Sequence, residues 1–403
     1  MLFRELLTEE LHNQREDFQR FAETQFSDLT EYLEKLQNLC QTPSAEVWAR
    51  LKSKEDAGAL PSEELDRQKS FSFDFKQKWD NHEEARCWAF DILQSRTTFA
   101  ADGSQLYAEK ETSLPVAAIQ IGWFENPHDE TGKYEKNAHF FVLPPNELLS
   151  QDEPVIPETR VGQRRFEAEV EKVEEFLQRK SGWQERGERM PLAFYDGTLL
   201  LSTPHPKTAL QTSFTNKLVE LVRFSIATKV PLVGYVDRSY ARDLLTLLDN
   251  FETGANANEK TLYDATILHA ETSNFAKVLK LWGDRTCFCY SKRRGLGAFI
   301  DTNTEKSIVG FSYLQTTIDG APARLDVPSW VYEENLLEEV INVVRAECVI
   351  GLGYPYALET ADATAIITSR DREIFLRALQ DFASREKLNF SVSRKSASKG
   401  RRR

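Results

Sequence analysis

The order of predicted strands and helices after residue 95 constrains the fold of this 403-residue chain more than any other feature. Three β-rich runs come first, at 96–109, 114–125 and 137–145. Helical and strand patterns then alternate towards the C-terminus. Three consecutive strands followed by this alternation predict an α/β fold, in which helices cover the faces of a mixed β-sheet.

Residues 1–95 precede this pattern and are predicted to form a helical N-terminal extension. Leu29, Leu33 and Leu36 recur at the three- and four-residue spacing of one helix face. Such helices could pack on the protein's own core, pair with a second copy or receive a partner, and the first outcome is the most common. The segment at 52–68 is the most linker-like stretch of the extension.

The net charge of −12 is unusual for a protein that binds DNA, because contacts to phosphates need lysine and arginine. Carboxylates of an active site would contribute to this excess of acidic residues. The last ten residues nevertheless hold six basic side chains and no acidic one. We therefore expect a basic, disordered tail at 389–403, which is either solvated or in contact with phosphates.

No apolar run approaches the ~18 residues that a membrane span requires, and the N-terminus lacks the pattern of a secretory signal. The expected compartment is the cytoplasm. Five cysteines in a chain of this length do not indicate a disulfide framework. Cys287 and Cys289 would share one face of a strand, where small buried residues are a better interpretation than a zinc site.

Two aspartates interrupt apolar strands and are the strongest candidates for chemistry. Asp102 lies in FAADGSQ and Asp196 lies in LAFYDGTLL. An ionised carboxylate in an apolar strand costs free energy unless it is paired or binds a metal. Asp102 could instead cap a turn, since Asp-Gly is a common hairpin signal. If both strands are neighbours in one sheet, the two carboxylates could meet at a common edge and bind magnesium or manganese.

The predicted helix between these two strands supplies five glutamates, of which at most one or two are expected to be ligands. Glu169 is the preferred candidate and Glu167 is the next. Near the C-terminus, Tyr354 precedes a proline and is predicted to be extended or in a turn. Asp362 would lie one turn into the helix that follows. Taken alone, these two residues would be interpreted as a packed aromatic and an exposed or capping acid.

Taken together, these segments resemble the NurA nuclease family over about residues 95–385. Each motif is short, and their order and combination carry the resemblance. The motifs are ADGSQ around Asp102, RRFEAEV in the glutamate helix, FYDGTLL around Asp196, VGYVDRS near Asp237, RLDVPSW near Asp326 and GYPYALETADA at the C-terminal end.

The resemblance implies a ribonuclease-H-like core, which we place at 96–388, and cleavage of DNA that depends on manganese, with magnesium as an alternative. It also implies a homodimer with 5′-to-3′ exonuclease and single-strand endonuclease activity. It further implies joint action with a HerA-type hexameric ATPase in processing DNA ends for double-strand break repair. This chain has no Walker-type loop, so ATP-driven movement along DNA would have to come from such a partner.

Carried onto matching positions, the resemblance implies that Asp102, Glu169 and Asp196 hold the metal. Tyr354 would help to position the substrate or the attacking water. The family often has a histidine eight residues after this tyrosine, where this chain has Asp362. A carboxylate there can still bind metal, but it cannot act as a cationic contact to phosphate.

Two other functions are compatible with these features. One is a catalytically inactive, nuclease-derived scaffold that docks on an ATPase ring, and the retained carboxylates argue against it. The other is a different ribonuclease-H-like phosphotransferase, such as a Holliday-junction resolvase. The GYPYALETADA motif favours the NurA family over the resolvase.

Overall fold

The computed structural model describes residues 3–108, 112–149, 157–201, 208–252 and 262–391. Most of the predicted basic tail therefore lies outside the described residues. Its first three residues are described, and two of them, Asn389 and Ser391, form hydrogen bonds of 2.8–3.0 Å with Ser113. In this described part of the chain, no helix is both long and apolar enough to span a membrane.

Eleven strands and fourteen α-helices form within the described residues. The strands are β1 Gly58–Pro61, β2 Ser72–Phe73, β3 Thr98–Leu106, β4 Ala117–Asn126, β5 Glu135–Leu143, β6 Leu192–Asp196, β7 Leu232–Val236, β8 Arg285–Thr286, β9 Cys289–Lys292, β10 Val309–Leu314 and β11 Ala323–Pro328. The helices are α1 Arg4–Asn13, α2 Arg15–Cys40, α3 Ser44–Leu51, α4 Glu64–Gln68, α5 His82–Leu93, α6 Pro145–Leu148, α7 Pro157–Lys180, α8 Ala209–Thr228, α9 Asp243–Phe251, α10 Asp264–His269, α11 Ser329–Glu333, α12 Leu337–Ile350, α13 Tyr356–Ala365 and α14 Ser369–Arg385.

The chain divides into two compact units, each built from two stretches of sequence. The first unit comprises Met1–Lys78 and Tyr235–Tyr332, and the second comprises Trp79–Gly234 and Glu333–Arg403. The division of the sequence at residues 95 and 388 stays a prediction.

The second unit is built on a mixed sheet. Its strands β3, β4 and β5 are consecutive and antiparallel, as predicted, and β6 pairs with β3 in parallel. The strand order is β5-β4-β3-β6-β7, with helices packed on β3 and β4. Three antiparallel strands followed by strands that alternate with helices confirm the predicted α/β, ribonuclease-H-like class.

Helix α7 packs on this sheet through a stripe of apolar residues at helical spacing. Val170, Val173 and Leu177 are fully buried, and the ring of Phe176 stacks on that of Phe99 in β3 with 4.6 Å between centroids. The predicted helix at 161–180 is confirmed and begins four residues earlier. Its amphipathic pattern is sufficient to orient the helix, because burial of the stripe is favourable in only one rotation.

The first unit contains α1 to α4, of which the second half of α2 and α3 pack on its core, whereas α1 buries no residue. Tyr32 and Lys35 of α2 both bond the Asp249 carboxylate of α9 at 2.8 Å. The prediction of a wholly helical extension is wrong at β1 and β2, and 52–68 is not a linker. Strand β1 pairs antiparallel with β9, more than 200 residues later, and this pairing has no local signal.

The cysteines of the first unit fit the simpler interpretation. Cys287 and Cys289 are buried, their sulfurs lie 4.0 Å apart, and both are free thiols. Burial raises the pKa of the Cys287 thiol well above its ordinary value. They are therefore small buried residues in and beside β9.

A buried ionic cluster links β11 to α9 in the first unit. Arg324 is 2% exposed and donates from Nη1 to Asp243 at 2.5 Å and from Nε to Asp326 at 2.7 Å. The Asp264 carboxylate beside them accepts hydrogen bonds from the Tyr313 hydroxyl and from two backbone N–H groups. Asp326 belongs to the RLDVPSW motif, so this motif serves the core of the first unit.

Candidate active site

Asp102 and Asp196 lie side by side in the sheet of the second unit. In the parallel pairing of β3 and β6, Ala101 is the register partner of Tyr195. The next residue on each strand is the aspartate, so the two Cα atoms sit at the same level on strands about 4.8 Å apart. Asp196 is exposed at the end of β6, and Asp102 is partly buried. The predicted meeting of both carboxylates at one sheet edge is therefore what the structure contains.

Two further carboxylates lie close enough to Asp102 to change its pKa. Burial, together with the charges of Asp196 and Asp362, raises the pKa of Asp102 to about 6, against a backbone N–H bond from Gly103 that lowers it. Asp362, which lies on α13, also shares a hydrogen bond with the Asp102 side chain. Three carboxylates from a strand, a second strand and a helix thus converge at this edge.

Gly122 allows α13 to approach the sheet. It is the β4 partner of Asp102 and shares its face of the sheet. A Cβ atom on Gly122 would lie 2.5 Å from the backbone nitrogen of Ala365 and 2.7 Å from the carbonyl carbon of Thr364. Because no side chain intervenes, α13 lies directly on the strand and carries Asp362 to the site. No local pattern in the sequence marks this glycine.

The Gly122→Ala substitution should lower the free energy of unfolding by about 1–3 kcal/mol, because its methyl group meets backbone that cannot rotate away. Urea denaturation of the purified chain measures this. Gly162→Ala is the matched control, since a Cβ there on α7 meets nothing within 4 Å. The control should be neutral or slightly stabilising. Equal effects of the two substitutions would contradict close packing at Gly122.

Glu169 reaches the same edge from the opposite face of the sheet. Gly103 points away from the Asp102 side, and a Cβ on it would overlap Oε1 of Glu169. Glu169 is 8% exposed. Burial raises its pKa to about 8, with Asp102 and Asp196 adding to the effect and Arg165 opposing it. The two glycines therefore let two helices bring carboxylates to Asp102 from both faces.

Three other glutamates of α7 have partners away from Asp102. Glu167 accepts a hydrogen bond from Arg164 at 2.7 Å, and Glu174 accepts one from Lys217 at 2.9 Å. Glu175 pairs with Lys172 of its own helix. Of the two glutamates preferred from the sequence, Glu169 is thus the one that the structure brings beside Asp102.

Tyr354 completes the group from the turn that precedes α13. Its hydroxyl donates to Oδ1 of Asp196 at 3.3 Å. Glu347 of α12 fixes the start of α13, because its buried carboxylate accepts the backbone N–H of Ala357 at 2.9 Å. Glu347 was missed in the sequence because it resembles any other glutamate in a helix. All five predicted site residues, Tyr354 included, are brought together within the second unit.

Arg165 is a further residue at this site. Its Nη1 donates to Oε1 of Glu169 at 2.5 Å and to the Gly103 carbonyl at 3.0 Å. The sequence showed it only as one of two arginines in the RRFEAEV motif. In the structure it is the cation in direct contact with a site carboxylate.

The donor set suits a hard divalent cation. Carboxylate oxygens are the ligands that magnesium and manganese prefer. The pKa values of Asp102 and Glu169 are raised mainly by burial and in addition by the charges of neighbouring carboxylates, and a cation would compensate both effects. In the described ranges, no group of three or more His, Cys, Asp or Glu side chains has a geometry that could hold a metal ion. Glu169 is paired with Arg165 instead.

The metal-free chain should lose stability as the pH rises from 5 to 9. Asp102 and Glu169 have ordinary pKa values of 3.8 and 4.5, and the fold raises them to about 6 and about 8. Their contribution to stability is thus fully present below about pH 4 and is lost as the pH rises through these folded values.

Thermal denaturation of chelator-treated protein across this range measures the effect. The Glu169→Gln variant is the control. Its amide does not titrate, so the variant lacks the contribution of Glu169 to stability, which in the wild type is lost as the pH rises to about 8. Parallel curves for the variant and the wild type would contradict a raised pKa at Glu169.

Comparisons with known proteins give a family. A model of the NurA domain matches residues 96–367, which is more than half of the chain. No curated protein matches. Solved structures that are similar include a NurA structure, at 10% identity and a TM-score of 0.41, with 72% of this chain and 89% of that chain covered.

Two further structures are similar at 13% identity. A NurA structure bound to dAMP and manganese has a TM-score of 0.36, with coverage of 72% of this chain and 88% of that chain. The catalytic domain of human Endonuclease V has a TM-score of 0.32, with coverage of 74% and 94%. The family model spans all five predicted site residues, from Asp102 to Asp362. The chain belongs to the NurA family.

Proposed function

We propose that this protein is a manganese-dependent deoxyribonuclease whose active site is the carboxylate group around Asp102. The observation that carries the proposal is the register of β3 and β6, which sets Asp102 beside Asp196. Asp102, Glu169, Asp196 and Asp362 would hold the metal, and magnesium is the alternative ion. A bound cation of this kind would neutralise charge on the phosphate and make a bound water more acidic.

The reaction would be hydrolysis of a phosphodiester. A water oxygen forms a bond to phosphorus, one ester P–O bond breaks, and the products carry a phosphate monoester and a hydroxyl group. No covalent bond to the protein is needed. Glu169 would complete the metal-binding group and orient the attacking water.

Tyr354 has a positioning role in this scheme. Its hydroxyl donates to Asp196, which fixes the carboxylate in one orientation and leaves the hydroxyl oxygen able to accept a further hydrogen bond. Asp362 takes the place of the histidine that the family often has. As an anion it adds to the charge available for the metal, and phosphate contacts must therefore come from other side chains.

Family membership supports the finer properties that we propose. They are 5′-to-3′ exonuclease and single-strand endonuclease activity, a homodimer, and joint action with a HerA-type hexameric ATPase on DNA ends in double-strand break repair. The reaction would take place in the cytoplasm. The N-terminal extension at 1–95, the nuclease domain at 96–388 and the basic tail at 389–403 would be its parts.

Metal-dependent cleavage tests the central claim. The purified full chain, with and without a HerA-type ATPase, is incubated with end-labelled single- and double-stranded DNA. We expect cleavage with manganese that stops when the metal is chelated and returns when manganese is restored. Failure to cleave under all these conditions would favour the inactive scaffold.

A further inference from the structure

Arg165 occupies a position that a metal cation would also favour. Its Nη1 lies 2.5 Å from Oε1 of Glu169, and Glu169 in turn feels the charges of Asp102 and Asp196. A guanidinium at this point supplies positive charge to a buried carboxylate group. The Glu169 oxygen that would bind a metal is therefore already in use.

The guanidinium of Arg165 is held by hydrogen bonds, but one of its N–H donors has no partner. Nη1 also donates to the Gly103 carbonyl at 3.0 Å, while Nε is buried without a hydrogen-bond partner. A buried donor without a partner costs free energy. The favourable ion pair with Glu169 therefore offsets the free-energy cost of leaving Nε of Arg165 without a partner. The side chain is 32% exposed, so it has room to move.

We infer that Arg165 is an internal counter-ion that holds Glu169 in the metal-free protein and is displaced when the metal binds. The inference rests on the proposed function, because it takes the Asp102 group as the metal site. Metal binding must break the Arg165–Glu169 pair, so this pair lowers the affinity for metal. The same pair balances the charge of the buried Glu169 carboxylate while no metal is present.

The neighbouring arginine provides a matched control. Arg164 also lies on α7, is similarly exposed and also pairs with a glutamate, Glu167, at 2.7 Å. Its partner is not the glutamate beside Asp102. A general effect of removing positive charge from α7 would appear in both variants, whereas competition with the metal would appear only at Arg165.

The test is a manganese titration of the chelator-treated full chain without DNA, in which the electron paramagnetic resonance signal reports free Mn²⁺. Arg165→Met should bind manganese about fivefold more tightly than wild type, because a partly exposed ion pair no longer competes. Arg164→Met should stay within about twofold of wild type, and Arg165→Lys, which keeps the charge, should do the same. Tightening should vanish when Arg165→Met is combined with Glu169→Gln, because the pair is already broken there.

Thermal denaturation separates this role from a purely structural one. Manganese should raise the melting temperature of Arg165→Met more than that of wild type. Without metal, the variant lacks the positive charge that Arg165 supplies in the wild type, so it gains more stability when the metal binds. An equal rise in both, or binding that is unchanged or weaker in Arg165→Met, would overturn the inference. Wild-type protein that binds no manganese would overturn the proposed function together with it, whereas normal binding that is insensitive to Arg165 would overturn the inference alone.

Discussion

Replacing Asp102 by asparagine is expected to reduce DNA cleavage by about a thousandfold or more while the protein stays folded. Asparagine has nearly the same shape but no charge, so it removes an anionic oxygen from the centre of the group. Loss of a single preorganised electrostatic contact to a transition state commonly costs two to three orders of magnitude. Asp102 is adjacent to Asp196, Asp362 and Glu169, so more than one contact depends on it.

The same substitution should not destabilise the metal-free chain. It removes repulsion between Asp102 and its acidic neighbours, which contributes to raising the pKa of Asp102 to about 6. We expect a melting temperature equal to or above that of wild type in the absence of metal. Loss of activity with gain of stability is typical of a functional site whose charges oppose folding, and misfolding would give the opposite stability change.

Cleavage rates on end-labelled DNA with manganese, together with thermal denaturation, provide the measurement. Glu171→Gln is the control, because Glu171 is an exposed glutamate of α7 and its loss should leave the rate within about twofold. Asp102→Asn activity within tenfold of wild type would remove Asp102 from the mechanism. A wild type that is itself inactive even with the ATPase would favour the scaffold and make Asp362 the first residue to restore to histidine.

The second large effect concerns stability, at the buried ionic cluster of the first unit. Arg324→Met should lower the free energy of unfolding by about 3–5 kcal/mol, since it removes a buried cation between two desolvated carboxylates. Asp243 would keep an ion pair with Arg293 at 3.0 Å. Arg324 bonds both Asp243 and Asp326, which are 0% exposed. Methionine fills much of the same volume, so the loss would be electrostatic rather than a cavity.

Urea denaturation, with a probe in the first unit such as the fluorescence of Trp48 or Trp282, measures this loss. Arg294→Met is the control, because Arg294 pairs with Glu55 at the surface, where such pairs contribute about 0–1 kcal/mol. An Arg324 variant as stable as this control would show that the buried cluster contributes nothing net. The cluster would then serve only to select the contact of β11 with α9.

The elements that could be predicted from sequence are those whose signal is local. The apolar runs of β3 and β6 and the acidic residues within them are visible because a charge inside a buried strand is costly wherever the strand pairs. The stripe of α7 likewise orients that helix whatever it packs on. For these reasons Asp102, Asp196 and the α/β class could be predicted from the residues alone.

Other features depend on which distant residues become neighbours, and the tertiary structure alone decides them. The choice of Glu169 over Glu167 required the position of α7 against Gly103, because all glutamates of a helix look alike in sequence. The approach of α13 through Gly122 and the pairing of β1 with β9 required the sheet itself. A sequence records the preferences of each segment, but contact between segments is a property of the folded chain, in which burial and register are set by all of them together.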